Sequence, residues 1–316
     1  MKLGKVLVTG GAGFLGSQLV KRLLPRSEHI YVIDDLSTGN PRALPDSDQI
    51  TFIQGSITNE ELLEEIMPKV EWVFHLACRN LYLSAVDVRQ DFDTNLYGGF
   101  LLLQKAKSHC PNLKRFVYTS TASVYGNAPV IPTPESFHQI TMPYSASKFS
   151  TEHYCQMFYH MYQLPVTTLR LSNVYGPGQL LSNPYCGVVT LFFDAVQNGR
   201  PIPIFGDGTQ TRDFTFIDDA MEAILTASVH PDSIGKLYNV GTGKEVSIHE
   251  LAETIGKIMG HENYPIEYKP KRVVDKVYRR AVDITFLEQD LHMKPAHSLE
   301  EGLHKTRQWM IQQKDA

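Results

Sequence analysis

The feature that most constrains the fold is an alternation of short apolar runs with helical patterns over roughly the first 170 residues. The nearly continuous apolar character of these runs is typical of strands buried on both faces of a parallel sheet. The six runs are KVLVTG, IYVIDD, ITFIQG, WVFHLA, RFVYTS and VTTLRL. Helical patterns lie between them at residues 17–24, 59–67 and 91–109, the second opened by a Thr58/Glu61 capping box. The alternation predicts a doubly wound α/β domain with a parallel sheet.

The later part of the chain has a different amino-acid composition. After about residue 175 the segments YGPGQLLSNPY and NGRPIPIFGDGTQ are rich in Gly and Pro, which is typical of loops and short elements. Capping boxes at Ser247/Glu250 and Ser298/Glu301 still indicate two helices. We therefore expect a nucleotide-binding domain at residues 1–175 and a smaller mixed α/β part at residues 176–316. Some chain is expected to cross back to the first domain around residues 212–245.

Composition argues against several classes of protein. A net charge of −4 disfavours a general nucleic-acid surface. No run approaches the ~18 apolar residues of a membrane span, and glycines interrupt the N-terminal segment where a signal peptide has its apolar stretch. We expect a soluble, cytoplasmic protein with no membrane association. Cys78, Cys110, Cys155 and Cys186 show no metal-ligand spacing, so reduced thiols and no metal site are expected.

A glycine fingerprint follows the first predicted strand. VLVTGGAGFLGS places Gly10, Gly13 and Gly16 between that strand and the first helix, where they permit a tight turn and close approach to a pyrophosphate. Asp34 ends the next predicted strand, 18 residues after Gly16. A carboxylate there accepts hydrogen bonds from ribose hydroxyls and repels a 2′-phosphate, so NAD is favoured over NADP. A structural glycine turn is the weaker reading in this βαβ context.

Hydroxyl groups near the middle of the chain indicate the chemistry. Tyr144 and Lys148 lie four residues apart in YSASK and would share one helix face. A nearby ammonium stabilises a phenolate and makes a tyrosine a better base. Thr121 and Ser123 lie where RFVYTS should end, which is the edge at which parallel sheets place ligands. Alone, such a Tyr/Lys pair is an ordinary solvated helix face, and such hydroxyls often cap loops.

Together these motifs resemble the extended short-chain dehydrogenase/reductases, in particular the NAD-dependent nucleotide-sugar epimerases and dehydratases, and most of all the UDP-glucose and UDP-N-acetylglucosamine 4-epimerases. The likeness continues through DDLSTG, HLA, TSTASVYG, YSASK, LRLSNVYGPGQ, GDGTQTRDFTFIDDA, YNVGTG and SLEEGL, over essentially the whole chain. It implies a Rossmann domain that binds NAD, a substrate-binding C-terminal part, and a homodimer through a four-helix bundle of residues 91–109 and 144–161.

The resemblance also implies individual roles. Tyr144 takes a proton from a sugar hydroxyl while hydride passes to NAD, Lys148 holds the ribose and lowers the pKa of the tyrosine, and Thr121 orients the reacting hydroxyl. The implied cofactor contacts are Gly10, Gly13, Phe14, Leu15, Gly16, Asp34, Asp35, Leu36, Thr38, Gly39, Ser56, Ile57, Leu76, Ala77, Cys78, Asn95, Thr119, Tyr144 and Lys148. The implied substrate contacts are Arg79, Asn80, Thr121, Ser123, Asn173, Val188, Phe205, Arg212, Arg272 and Asp275.

Substrate phosphates in an acidic protein need local donors. The resemblance assigns Asn173 to the diphosphate, Arg212 to the nucleotide, Arg272 and Asp275 to phosphate and ribose, and Phe205 to the uracil. The spacing after Asp275 is one residue from the family pattern, which leaves Arg279 or Arg280 as alternatives for the phosphate. Simple solvation of the arginines and a core role for Phe205 remain the competing interpretations.

The two residues after Thr121 separate possible reactions. Sugar 4,6-dehydratases of this family usually carry Asp and Glu there, whereas this chain has Ala122 and Ser123, which provide neither acid nor base. We therefore expect a UDP-sugar 4-epimerase. The alternatives are an atypical dehydratase or 5-epimerase working through a 4-keto sugar, and, remotely, a non-catalytic NAD-binding scaffold.

Some positions depart from the family pattern. Cys78, Arg79 and Asn80 stand where relatives carry small polar residues, so Arg79 is a candidate for an anionic or acetamido substituent. Ser56 replaces an Asp that often meets the adenine amine. Cys186 lies in the expected substrate loop, where a packed thiol is favoured over a catalytic one.

Overall fold

The computed structural model describes residues 2–181, 187–272 and 274–313, which form thirteen strands and eleven α-helices. The strands are β1 (Leu3–Thr9), β2 (Ser27–Asp34), β3 (Ile50–Gln54), β4 (Trp72–His75), β5 (Arg115–Thr121), β6 (Val166–Leu171), β7 (Asn173–Tyr175), β8 (Ile202–Phe205), β9 (Thr211–Arg212), β10 (Phe214–Phe216), β11 (Leu237–Val240), β12 (Val246–Ser247) and β13 (Ile266–Lys269). The helices are α1 (Phe14–Leu23), α2 (Glu60–Ile66), α3 (Leu81–Val86), α4 (Val88–Asp91), α5 (Gly98–His109), α6 (Pro143–Tyr162), α7 (Val188–Gln197), α8 (Ile217–Val229), α9 (Ile248–Ile258), α10 (Thr285–Leu291) and α11 (Leu299–Gln312).

Seven strands form the main sheet, in the order β11-β6-β5-β4-β1-β2-β3. Strand β1 pairs in parallel with β2 and β4, β2 pairs in parallel with β3, and β4 with β5. The doubly wound α/β fold and all six predicted strands are thus confirmed. The seventh strand, β11, was not predicted because its four residues, LYNV, are too short and mixed to stand out as an apolar run.

The chain divides into two compact units. The first comprises Met1–Val124, Ile140–Arg170 and Met221–Tyr238, and the second comprises Tyr125–Gln139, Leu171–Ala220 and Asn239–Ala316. Each unit is therefore assembled from three separate segments of chain. The single boundary near residue 175 stays a prediction.

Helices of the first unit differ in detail from the predicted ones. The pattern at residues 91–109 is interrupted by a π-helical segment at Phe92–Tyr97, a conformation often found at functional sites. The predicted cap Thr58 is wrong, because Asn59 is the residue whose side chain accepts from the Leu62 N–H at 3.1 Å. Thr58 is instead bonded to Ser56 in the preceding turn.

The second unit is built from short paired strands and a few helices. Strands β7 and β10 pair in parallel, as do β8 and β13, whereas β9 and β12 are antiparallel. Asp213 is fully buried and accepts the N–H groups of Thr242, Gly243 and Val282 at 2.8–3.2 Å, which joins three stretches of loop. The predicted capping box at Ser298 is present at α11. Among the described residues, no helix has the length and apolar character needed to cross a membrane.

Candidate active site

Two glycines shape the turn between β1 and α1. Gly10 has φ +69°, and a Cβ at this position would lie 2.6 Å from the backbone nitrogen of Ala77. At Gly16 a Cβ would lie 2.1 Å from the carbonyl oxygen of Gly10. Any larger residue at either position would force the loop away from its neighbours, so the turn depends on glycine.

The residues around this turn fit a dinucleotide. Gly13 is the N-cap of α1 and offers no side-chain cap, so the N–H groups of the first turn, which includes Phe14 and Leu15, are available to an anion. Asp34 lies buried at the end of β2, where its carboxylate accepts the N–H groups of Ala12 and Leu36, both at 2.9 Å. Burial raises the pKa of Asp34, while these backbone hydrogen bonds oppose that rise.

Other predicted cofactor residues lie at the ends of the central strands or just beyond them. Thr119, near the end of β5, donates its hydroxyl to the carbonyl oxygen of His75 at 3.0 Å, which joins β4 and β5 at this edge. The remaining ones follow β2, β3 or β4: Asp35, Leu36, Thr38, Gly39, Ser56, Ile57, Leu76 and Ala77. One edge of the sheet therefore carries most of the predicted cofactor site.

We use the name reaction centre for four side chains: Cys78, Thr121, Tyr144 and Lys148. Tyr144 and Lys148 lie on α6, as predicted, and Thr121 is the last residue of β5. The Tyr144 hydroxyl is hydrogen-bonded to the side chains of Thr121 and Cys78. Lys148 is only 2% exposed, and its Nζ lies 4.5 Å from the centroid of the Tyr118 ring. The segments after β4 and β5 and the start of α6 thus converge on one phenol.

Burial in the reaction centre favours the neutral forms of Tyr144 and Lys148 over their charged forms. Burial raises the pKa of Tyr144 well above its usual range, the nearby Cys78 raises it further, and the hydrogen bond to Thr121 lowers it. Burial lowers the pKa of Lys148, and negative charge on Cys78 or Glu152 opposes that change. A positive charge next to Tyr144 would therefore have a large effect on its ability to take a proton.

A buried ion pair behind the reaction centre was missed in the sequence. Glu152 and Arg170 have side chains only 3% and 4% exposed, and Arg170 Nη2 lies 2.7 Å from Glu152 Oε2. Ser120 also donates to Glu152, so α6, β5 and β6 are linked beside Thr121. The spacing of Glu152, four residues after Lys148 on the same helix, was the available signal.

His75 is a second residue that sequence reasoning missed. It is fully enclosed at the end of β4, and its Nδ1 lies 2.8 Å from the Thr9 hydroxyl. Burial, with the positive charge of Lys148, holds the pKa of His75 well below its usual range. The imidazole is therefore neutral and does not compete with Lys148 as a cation.

Residues beside Cys78 mostly hold the local backbone. Asn80 caps α3 by accepting the N–H groups of Tyr82 and Leu83. The Asn95 amide accepts from the Arg79 N–H at 2.7 Å and donates to the Arg79 carbonyl at 3.0 Å. Arg79 Nε is buried and has no hydrogen-bond partner among the described residues.

The two residues after Thr121 lie close to it. Ser123 donates its N–H to the Thr121 hydroxyl at 3.1 Å, and Ala122 is only 1% exposed.

In the second unit, three predicted substrate residues form one group. The Arg272 guanidinium lies 4.5 Å from the centroid of the Phe205 ring, at the end of β8. Arg272 also makes two hydrogen bonds to the Asp275 carboxylate, at 2.8 and 3.0 Å. We call Phe205, Arg272 and Asp275 the stacked group. It presents an aromatic face, a cation and a carboxylate within a small region.

The other predicted substrate residues of this unit lie on several different elements. Arg212 lies in β9, and Asn173 donates its N–H to the Asp213 carbonyl at 3.0 Å. Arg279 is exposed and pairs with Glu245 at 2.5 Å, whereas Arg280 is buried. Val188 is the first residue of α7. Cys186 lies outside the described residues.

A metal centre is not visible in the described part of the chain, where no three His, Cys, Asp or Glu side chains are grouped so that they could hold an ion. The cysteines described there, Cys78, Cys110 and Cys155, are free. Burial raises the pKa of Cys110 to about 11, so this thiol is protonated at neutral pH.

Comparison with known proteins gives a consistent result. The model of the NAD dependent epimerase/dehydratase family matches residues 6–241. A UDP-glucose 4-epimerase from Mycolicibacterium smegmatis is 37% identical over 313 residues, which are 96% of this chain and 97% of that protein. A dTDP-D-glucose 4,6-dehydratase from Homo sapiens is 31% identical over 321 residues, covering 96% and 89% of the two chains.

Two solved structures are similar to this chain over nearly its full length. The UDP-glucose 4-epimerase of Thermotoga maritima, solved with UDP-glucose, has a TM-score of 0.91 at 35% identity and covers 98% of this chain and 99% of its own. The UDP-N-acetylglucosamine 4-epimerase of Methanobrevibacter ruminantium, in complex with UDP-N-acetylmuramic acid, has a TM-score of 0.91 at 31% identity, with 99% and 100% coverage. Both similarities extend across the two compact units.

Proposed function

Because this chain belongs to the NAD dependent epimerase/dehydratase family, we propose that it is a nucleotide-sugar 4-epimerase acting on a UDP-hexose or UDP-N-acetylhexosamine. The observation that carries the proposal is the reaction centre. Thr121 lies next to the Tyr144 hydroxyl, Lys148 is four residues after Tyr144 on the same helix, and the residues that follow Thr121, Ala122 and Ser123, supply neither an acid nor a base. Oxidation and reduction of a sugar hydroxyl are supported, whereas elimination of water lacks its usual groups.

The site residues divide the work between them. Gly10, Gly13 and Asp34 would hold the NAD, which when bound accepts a hydride from the sugar and returns it. The Thr121 hydroxyl orients the sugar 4-hydroxyl, and Tyr144 takes its proton and later gives it back. The Lys148 ammonium stabilises the negative charge that Tyr144 acquires. This help is needed, because an ordinary tyrosine has a pKa of about 10 and burial raises that of Tyr144.

Binding of the nucleotide is assigned to the second unit. The stacked group offers an aromatic face for a uracil, a guanidinium for a phosphate and a carboxylate for ribose hydroxyls. Asn173 is a further proposed contact of the diphosphate, and Arg212 is a further proposed contact of the nucleotide. Relatives solved with UDP-glucose and with UDP-N-acetylmuramic acid support the choice of a UDP-sugar.

The alternative is a 4,6-dehydratase or another enzyme that works through a 4-keto sugar. Dehydratases at 31% identity are among the relatives, and they support this reading. Ala122 weighs against it, because it is buried and has no functional group with which to protonate a leaving hydroxyl.

The test uses the protein with NAD and a panel of UDP- and dTDP-sugars in D2O, followed by proton NMR. Inversion at C4 without solvent deuterium in the sugar is the expected result. Deuterium at C5 or loss of the C6 hydroxyl would instead identify the dehydratase or 5-epimerase. If no sugar is converted and none reduces the NAD, the protein is a non-catalytic NAD-binding scaffold and the proposal is wrong.

A cytoplasmic homodimer belongs to the same proposal. Free cysteines are compatible with a reducing compartment. Several large apolar side chains are exposed within the predicted bundle segments, residues 91–109 and 144–161, as expected of a covered face: Phe92, Tyr97, Tyr154 and Met161. Light scattering should give a dimer for the wild type and a monomer for the double variant Phe92→Glu/Met161→Glu. A monomeric wild type would contradict the assembly without affecting the reaction.

A further inference from the structure

Asp91 is a buried carboxylate next to the reaction centre that no part of the proposed reaction uses. It is the last residue of α4 and is 2% exposed. Its Oδ1 accepts the Asn95 amide at 2.6 Å and the Ser147 hydroxyl at 3.2 Å. Burying a polar side chain costs free energy unless it is hydrogen-bonded, so these two contacts are what holds Asp91 in place.

Ser147 links this carboxylate to the catalytic turn of α6. The single hydroxyl proton of Ser147 lies within reach of Asp91 Oδ1 at 3.2 Å and of the Tyr144 carbonyl oxygen at 3.1 Å. Ser147 also directly precedes Lys148 in the chain. A displacement of Asp91 would therefore be transmitted to the turn that carries both Tyr144 and Lys148.

The partners of Asp91 differ from those of Glu152, the other buried carboxylate near Lys148. Glu152 is neutralised by two-point contact with the Arg170 guanidinium. The hydrogen-bond partners of Asp91 are an amide and a hydroxyl, neither of which carries charge. Burial lowers the pKa of Lys148, and negative charge on Cys78, on Glu152 and, with a smaller effect, on Asp91 opposes that change. Burial raises the pKa of Tyr144, and Asp91 adds a smaller increase. Asp91 thus differs from Glu152 in that neutral groups hold its carboxylate.

We propose that Asp91 is a positioning residue of the reaction centre, whose carboxylate fixes the Tyr144–Lys148 turn through Ser147 and adds to the negative charge around Lys148. The inference rests on the proposed function only where enzyme activity is the readout. It assigns a role to a residue that touches neither the sugar nor the cofactor in the scheme above.

The other titratable groups around Lys148 come from every element packed there. These are His75 and Cys78 from β4 and the segment after it, Tyr118 from β5, and Tyr144, Glu152 and Cys155 from α6. Near Asp91 itself, Asp87, Arg89 and Asp93 lie towards the surface, and Arg89 pairs with Asp93 at 2.8 Å. Asp93 is therefore a matched control, because its removal also deletes one negative charge two residues away.

The direct test measures the titration of Lys148 without any substrate. Protein with 13C-labelled lysine is titrated by NMR, and the Lys148 signal is assigned with Lys148→Arg. In Asp91→Asn, which keeps an acceptor for Ser147 but removes the charge, Lys148 should lose its proton at lower pH than in the wild type. In Asp93→Asn it should titrate as in the wild type. An unchanged titration in Asp91→Asn overturns the proposal, whether or not the protein proves to be an epimerase.

The second test measures kcat against pH with the UDP-sugar that the wild type converts. Removing a negative charge lowers the pKa of every neighbouring group, so both limbs of the profile should move to lower pH in Asp91→Asn. Ser147→Ala should lower kcat at all pH values without moving the limbs, because the charge remains. A merely structural Asp91 would reduce the amplitude of the profile and leave its limbs in place, which would contradict the proposal. Circular dichroism confirms that each variant is folded.

Discussion

The reaction centre of the first unit and the stacked group of the second unit use similar residue types in opposite ways. Lys148 is 2% exposed and held among buried acids, whereas the Arg272 side chain is 37% exposed and packs on an aromatic ring. Charges in the first region act at short range with little screening, and those in the second are partly solvated. The first region is therefore suited to moving a proton, and the second to holding a ligand.

The largest expected effect comes from Tyr144→Phe. Loss of the hydroxyl removes the group that takes the proton, so kcat should fall by about a thousandfold, roughly 4 kcal/mol, with NAD binding retained. Tyr154→Phe is the matched control, since Tyr154 is an exposed tyrosine of the same helix. Steady-state kinetics decides, and a Tyr144→Phe enzyme that kept a tenth of the activity would exclude this residue as the base.

The next effect is on stability. Glu152→Gln leaves the buried Arg170 without its charged partner, which should cost about 3 kcal/mol in the free energy of unfolding. Glu65→Gln is the comparison, because Glu65 forms an exposed pair with Lys69 and should change stability by less than about 0.5 kcal/mol. Urea denaturation of both variants measures the difference. Equal stabilities would show that the buried pair contributes nothing beyond a surface pair.

In the second unit the effect should appear in binding. Arg272→Ala removes a charged donor from the stacked group, so KM for the UDP-sugar should rise by about thirtyfold, roughly 2 kcal/mol, with kcat nearly unchanged. Arg279→Ala should change KM by less than about twofold, because that side chain is exposed and paired with Glu245. The opposite ranking would identify Arg279 as the phosphate ligand and reject the stacked group.

The smallest expected effect is a pair of opposite pH shifts. Cys78 raises the pKa of Tyr144 and the Thr121 hydrogen bond lowers it. In the profile of kcat against pH, the limb that reports Tyr144 as a base should therefore move to lower pH in Cys78→Ala and to higher pH in Thr121→Ala. Shifts of the same sign in both variants would contradict the contacts described for this phenol.

Sequence patterns predicted the parts of the site that depend on local spacing. Gly10, Gly13 and Gly16 define one turn, and Tyr144 and Lys148 share one helix face, so both could be found before the structure. The Asp91–Ser147 contact joins residues 56 positions apart, and no local sequence pattern predicts such a contact. The same holds for Arg170, whose partner lies on another element. The π-helical segment at Phe92–Tyr97 also depends on tertiary packing, and an uninterrupted helix was the natural prediction from its apolar pattern.

The central claim is that this site removes the hydrogen at sugar C4 and returns it to the same carbon. The most direct test is turnover of a UDP-sugar deuterated at C4, in ordinary water, with the product examined by NMR. The account predicts a C4 epimer that retains the deuterium at C4, because Thr121, Tyr144 and Lys148 handle only the hydroxyl proton. Deuterium found on another carbon, or exchanged for solvent hydrogen, would contradict it.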